Sequence, residues 1–125
     1  MNGIRRMRIL TQKNHDADTN ERVAILTNDD DPYTLKDRLT ALDRIELRFP
    51  HFTDGRAYSQ AYLLRKRLGF TGDLRATGDV LIDQLVQMER TGFSSAVLKD
   101  GADVADAERQ FARFAGYYQG DLASH

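Results

Sequence analysis

The chain has 125 residues, 18 Lys and Arg against 19 Asp and Glu, and no cysteine. That length fits one domain able to bury a core without metal or disulfide support. A net charge of −1 argues against nucleic-acid or membrane-surface partners. The missing thiol excludes disulfides, thiolate zinc sites, Cys-ligated iron–sulfur clusters and a cysteine nucleophile.

Arg5, Arg6 and Arg8 are not followed by an apolar run, so no secretory signal is visible. No stretch approaches the roughly 18 apolar residues of a membrane span. A cytoplasmic location without membrane partners is expected. Residues 1–21 read as a poorly ordered segment with room for a short strand at Met7 to Leu10. Lys13 to Asn20 is polar and turn-rich, which predicts a loop or linker. Residues 22–119 read as the single α/β domain and 120–125 as a frayed tail.

Val23 to Leu26 (VAIL) is a continuous apolar run of strand length, suited to burial on both faces. Asp31 before Pro32 predicts an N-cap and a first-turn proline. Leu35, Leu39 and Leu42 follow at helical spacing, with Arg38 at the edge of the stripe. The aspartates of NDDDP read as a capping loop, since consecutive carboxylates do not converge on one ion without a shaped loop. Arg44 to Phe49 (RIELRF) alternates, which predicts a half-exposed strand that Pro50 stops. Gly55 to Leu68 is helical, with Ala57, Ala61, Leu64 and Leu68 on one stripe and Gly69 as its stop. Asp73 to Ala76 is a short strand. Asp79 is expected to cap a helix bearing Leu81, Leu85 and Met88. Ser95 to Leu98 is the next strand, and Asp103 opens a last helix bearing Val104, Ala107, Phe111, Phe114 and Tyr118.

The pattern is strand–helix four times over, which predicts a mainly parallel sheet with right-handed crossovers. It can be an open layered sheet or half of a (βα)8 barrel. Incomplete cover of four strands also predicts a homodimer.

Ligands of parallel sheets bind outside the carboxyl ends of the strands. Two such ends are His51 to Arg56 and Thr77 to Asp79. Gly55 and Gly78 allow close approach to the backbone, and Arg56 and Arg75 supply guanidinium groups. A small anion is the candidate ligand of such an edge, with Tyr58, Ser59, Asp83 and Gln84 as polar neighbours, against a purely structural reading of the same residues. Each feature also has a structural role: Asp54 and Asp79 as caps, the glycines as turn residues, Arg56 as an ion-pair partner. Arg65, Lys66 and Arg67 suit the negative end of their helix dipole. His51 reads as an exposed loop residue, and His15 and His125 build no metal triad. No metal site is expected. No Ser–His–Asp, Walker, GxGxxG or HExxH pattern occurs.

The stretch FPHFTDGRAYSQAYLLRKRLGFTGDLRATGDVLIDQ, followed by RTGF, resembles the bacterial domain of unknown function 934 family. The resemblance runs from about Phe49 to Phe93. It falls on Phe52, Thr53, Asp54, Gly55, Arg56, Tyr58, Ser59, Leu64, Arg65, Gly69, Gly72, Leu74, Arg75, Gly78, Asp79, Asp83 and Gln84. The chain departs from the family's usual pattern at His51, Ala57, Tyr62, Ile82, Ser94 and Ser95. Members are often labelled oxidoreductases of sulfite reduction and tend to be encoded beside sulfite reductase. The resemblance therefore implies an accessory or adaptor protein of assimilatory sulfite reduction, with a reductase component as partner. The alternative it leaves is a small enzyme or sensor for sulfite, a sulfur metabolite or a phosphate-bearing cofactor. Multi-electron chemistry is delegated to cofactors, and nothing in the residues specifies which one, or that the chain is an enzyme.

Overall fold

The computed structural model describes residues 7–19 and 22–123. Five parallel strands form one sheet in the order β1-β5-β4-β3-β2. They are β1 (Arg8–Leu10), β2 (Val23–Leu26), β3 (Arg44–Phe49), β4 (Asp73–Gly78) and β5 (Ser95–Val97). Four α-helices lie between and after them: α1 (Gln12–Ala17), α2 (Arg56–Tyr62), α3 (Leu85–Thr91) and α4 (Val104–Ala123). The expected α/β class is what the molecule has.

The topology decides where the helices go. From β2 to β5 each strand lies beside its predecessor, always stepping in one direction. Right-handed crossovers then keep the connecting helices on one face. The step from β1 to β2 runs the other way, across the whole sheet, so its helix, α1, lies on the opposite face. The sheet is open, with β1 and β2 as its edges.

The α2/α3 face holds the core. Ile45, Leu47 and Phe49 of β3, Leu74 and Ala76 of β4 and Ala96 of β5 alternate onto it and are fully buried. Ala57, Ala61 and Leu64 meet them from the helix after β3, and Leu85 and Met88 from α3. Of the predicted stripes, Ala57, Ala61, Leu64, Leu85 and Met88 are buried, whereas Leu68 is half-buried and Leu81 is half-buried ahead of its helix.

Local departures have identifiable causes. The loop expected over Lys13 to Asn20 contains α1. A capping box starts it: Asn14 N donates to Thr11 Oγ1 (2.9 Å) and Thr11 N donates to Asn14 Oδ1 (3.4 Å). Among the described residues α1 buries no side chain fully, so it has no apolar stripe to betray it. Asp31 caps as expected, accepting from Tyr33 N at 2.9 Å, but the helix over Pro32–Ala41 is a 3-10 helix. The predicted Gly55 to Leu68 helix changes character midway. Leu63–Arg67 is a π turn, with Leu68 N bonding to Leu63 O at 2.9 Å. There Arg65 does not act as a surface dipole partner. It donates to Gly92 O (2.8 Å), Phe70 O (2.9 Å) and Gly72 O (2.7 Å) and lies over the Phe70 ring. Burial pushes its pKa down. Asp103 opens α4 as expected, accepting from Asp106 N at 3.2 Å. Residues 120–123 of the expected tail fall within α4, and residues 1–6 and 124–125 lie outside the described residues.

Candidate functional site

β3 and β4 are neighbours, with Arg48 level with Thr77 and Phe49 level with Gly78. The two turns that follow them therefore share the carboxyl edge of the sheet. Gly78 makes the second turn possible. Its φ is +90°, and a Cβ there would lie 2.3 Å from Phe49 O. That close approach lets Asp79 N donate to Phe49 O at 2.8 Å.

Asp79 is not a helix cap. The chain bends at Asp79, with Val80 N bonded to Gly78 O at 3.1 Å, and is extended at Leu81 before a 3-10 turn at Ile82–Gln84. Instead, Asp79 Oδ2 accepts from Phe52 N at 2.8 Å, and Oδ1 pairs with Lys99 Nζ at 2.7 Å. The Lys99 bond and then the Phe52 N–H hold its carboxyl below the usual aspartate range. Gln84 Nε2 donates to Phe52 O, and Gln84 Oε1 accepts from Leu81 N at 3.3 Å. Asp79 and Gln84 thus staple the two turns together.

Asp54 does the same on the other side. Its Oδ1 accepts from Arg56 N (2.9 Å) and its Oδ2 from Arg56 Nη2 (2.9 Å), while Asn28 Nδ2 adds a third donor. The Arg56 side-chain bonds, above all, lower its pKa to about 2. Arg56 Nη1 also reaches Asp29 Oδ1 at 2.7 Å. Gln60, only 4% exposed, ties down the loop after β2 by donating to Thr27 O and Asp30 O, both at 2.8 Å.

The site residues expected from sequence are thus divided. Asp54, Gly55, Arg56, Gly78, Asp79, Asp83 and Gln84 gather at this edge. Gly55 has a negative φ and no heavy atom within 4 Å of a built Cβ, so sterics make no demand for glycine there. Asp83 and Ser59 face solvent. Tyr58 packs edge-on against Phe49, with ring centroids 5.2 Å apart. Its hydroxyl is buried and has no hydrogen-bond partner among the described residues, and burial pushes its pKa up.

Arg75 is the correction. It was expected to face the same crevice as Arg56, but it points from mid-strand to the opposite face, under α1. Strand side chains alternate, and Arg75 is level with Glu46 and Ser95. It is fully buried. Its Nε donates to Ser95 Oγ (2.9 Å), Nη1 meets His15 Nδ1 (2.9 Å), and Nη2 reaches Asp18 Oδ2 (2.9 Å) and Asp73 Oδ2 (3.0 Å). Arg44, 3% exposed, binds Glu46 Oε2 through Nε at 3.0 Å, and His15 Nε2 lies 3.6 Å from Glu46 Oε1. Burial raises the pKa of Asp73. The Ser94 and Ser95 hydroxyls, with Arg75 and Arg8, outweigh it and leave the group below its ordinary value. Sequence reasoning missed this polar layer. Its signal was parity: Arg44 and Glu46, Asp73 and Arg75, and Ser95 share one face of three adjacent strands.

Arg56 is therefore the one guanidinium of the expected pair at the carboxyl edge, and two aspartates already occupy it. Asp30 and Asp31 follow Asp29 in the loop after β2. Phe52 and Tyr33, each 46% exposed, present aromatic surface on the same edge. A groove of about 340 Å³ is lined by residues that follow β4 and β5, among them Val80, Ile82, Asp83, Leu98, Lys99 and Gln110. Among the described residues, no three His, Asp or Glu side chains are placed to hold a metal ion, and no helix is long and apolar enough to cross a membrane.

The model of the family described as bacterial protein of unknown function (DUF934) matches residues 23–125. The chain belongs to that family. The match starts at β2 and takes in both stapled turns and the strand residues of the polar layer, whereas β1 and α1 precede it. No curated protein and no solved structure matches the chain.

Proposed function

We propose that this member of the family is an accessory protein of assimilatory sulfite reduction that docks a reductase component on the carboxyl edge of its sheet. One observation carries the docking half of the reading. The loops at this edge carry exposed Phe52 and Tyr33 beside aspartates in sequence, Asp31 and Asp54, while its guanidinium, Arg56, is already paired with Asp54 and Asp29. Exposed aromatics beside charged residues suit a protein surface with apolar pockets and basic margins. They suit a small free anion less well, because an anion would have to displace two carboxylates from Arg56. The sulfite-reduction half is supported by the family resemblance alone.

In this reading Asp54, Asp79 and Gln84 are positioning residues. They fix the Phe52 loop against the turn after β4, so that the contact surface is preformed. The test is direct binding of purified sulfite reductase components, measured by calorimetry or biolayer interferometry. Binding that weakens with added salt and is lost in Phe52→Ala is the expected result. Absence of binding to every component would sink the proposal. A thermal shift with sulfite, sulfate or phosphate that disappears in Arg56→Ala would replace it with the small-anion reading.

A further inference from the structure

We propose that Arg44 and Arg75 form a binding site for a small oxyanion under α1, and that the Asp18 carboxylate is the occupant the chain itself supplies. Arg75 is fully buried and Arg44 nearly so. Asp18 Oδ2 accepts from Arg75 Nη2 at 2.9 Å and lies 3.9 Å from Arg44 Nη1. The backbone O of Asp18 also accepts from Arg44 Nη2 at 3.4 Å. Two guanidinium groups from the neighbouring strands β3 and β4 thus converge on one carboxylate oxygen. Paired, forked donors of this kind suit carboxylate, sulfate and phosphate groups.

Charge marks Asp18 as the group an outside anion would replace. In this layer Arg8, Arg44 and Arg75 face Glu46, Asp73 and Asp18. Taking Asp18 away leaves three cations against two carboxylates. A buried cation without its partner is strongly unfavourable, so the vacated position favours another anion.

Exposure points the same way. The side chains of Glu46 and Asp73 stand on central strands and are 8% and 13% exposed, whereas that of Asp18 is 38% exposed. The guanidinium pair therefore meets solvent at Asp18. That residue also ends a helix of six residues that buries no side chain fully, so little apolar area opposes its displacement. The ligand class follows from the occupant: an acceptor-only group of carboxylate size, carrying negative charge and held by two arginines. This site lies on the opposite face of the sheet from Arg56 and stands or falls independently of the docking edge.

The test is chemical rescue of Asp18→Ala, by calorimetry and thermal melting in phosphate, sulfate or acetate against chloride at equal ionic strength. An oxyanion at about ten times its Kd should raise the melting temperature of this variant by about 4 °C. Sulfate and phosphate also stabilise folds in general by exclusion from their surfaces. The same salts are therefore applied to the wild type and to Asp18→Ala with Arg75→Met, and neither should show the added increment or calorimetric binding. If Asp18→Ala is unfolded in chloride, its refolding by oxyanion, followed by circular dichroism, is the equivalent readout. A gain with acetate alone assigns the site to carboxylates, and a gain with phosphate or sulfate assigns it to tetrahedral oxyanions. Absence of any oxyanion-specific gain in Asp18→Ala overturns the proposal. So does an equal gain in the wild type or in the Arg75→Met background.

Discussion

The two faces of the sheet solve the same covering problem with opposite chemistry. On the α2/α3 face, Phe49, Leu74 and their neighbours bury apolar surface against helices with matching stripes. On the α1 face, Arg44, Glu46, Arg75 and Ser95 are buried just as deeply, under a helix with no fully buried residue. The apolar face is held by area, which is non-directional and tolerates small shifts. The polar face is held by directed bonds whose members depend on one another, since a buried charge without its partner is worse than none. The first face explains why the chain is compact. The second fixes one orientation for α1.

Single substitutions should separate the two modes. Phe49→Ala removes a fully buried ring from the trio with Tyr58 and Phe93 and is expected to cost about 4 kcal/mol in urea denaturation. Arg75→Met should cost somewhat less, about 3 kcal/mol, by leaving Asp18, Asp73 and His15 facing an apolar side chain. The decisive comparison is Arg44→Met with Glu46→Leu. If directed pairing governs this face, the double variant is more stable than either single one. A strictly additive pair would contradict that view.

Gly78→Ala tests the edge that both faces share. A Cβ at φ +90°, against Phe49 O, should cost about 2 kcal/mol and loosen the Phe52 loop, visible as faster amide exchange at Phe52. A gentler probe is pH. Asp54 is held down to about 2, below an unfolded aspartate. Its contribution is therefore present above the ordinary aspartate range and is lost as pH falls towards 2. Melting temperature should decline through that window, and Asp54→Asn should flatten part of the decline. The smallest effect is expected from Arg56→Ala, whose side chain is 60% exposed. It should barely move the melting temperature at neutral pH, as for other surface ion pairs, and should flatten the acid decline in the way Asp54→Asn does, because its side-chain bonds are the main cause of the low Asp54 pKa.

Where a residue's role followed from periodicity, it was legible in sequence. Ala57, Ala61, Leu64, Leu85 and Met88 announced the core, and Asp31 and Asp103 announced helix starts. Gly78 read as room for a ligand, but the space beside its Cα is taken by Phe49 O; the two turns do follow neighbouring strands. What was hidden depended on register between strands. Arg75 was placed by its distance along the chain from Gly78, but alternation sends it through the sheet. His15 and Asp18 looked like loop residues because a helix held by caps and ion pairs has no apolar stripe to read. Asp79 resembled an N-cap, yet its carboxylate is used by Phe52 N and Lys99, which the pairing of β4 with β3 on one side and β5 on the other brings near.

The path of the chain across the sheet carries a consequence for assembly. β2 to β5 can pair in the order in which they are made, each beside the last. β1 cannot, because its partner is β5, and the Met7 N–H reaches Glu89 across 82 residues of chain. The strand synthesised first must therefore wait for nearly all the others, and its docking brings α1 down over the polar layer. Long-range closure of this kind is slow. In a refolding experiment, the protection of the Arg8 and Leu10 amides, which face β5, should lag behind that of Ile45 and Leu74, which makes the N-terminal strand the latch of the fold.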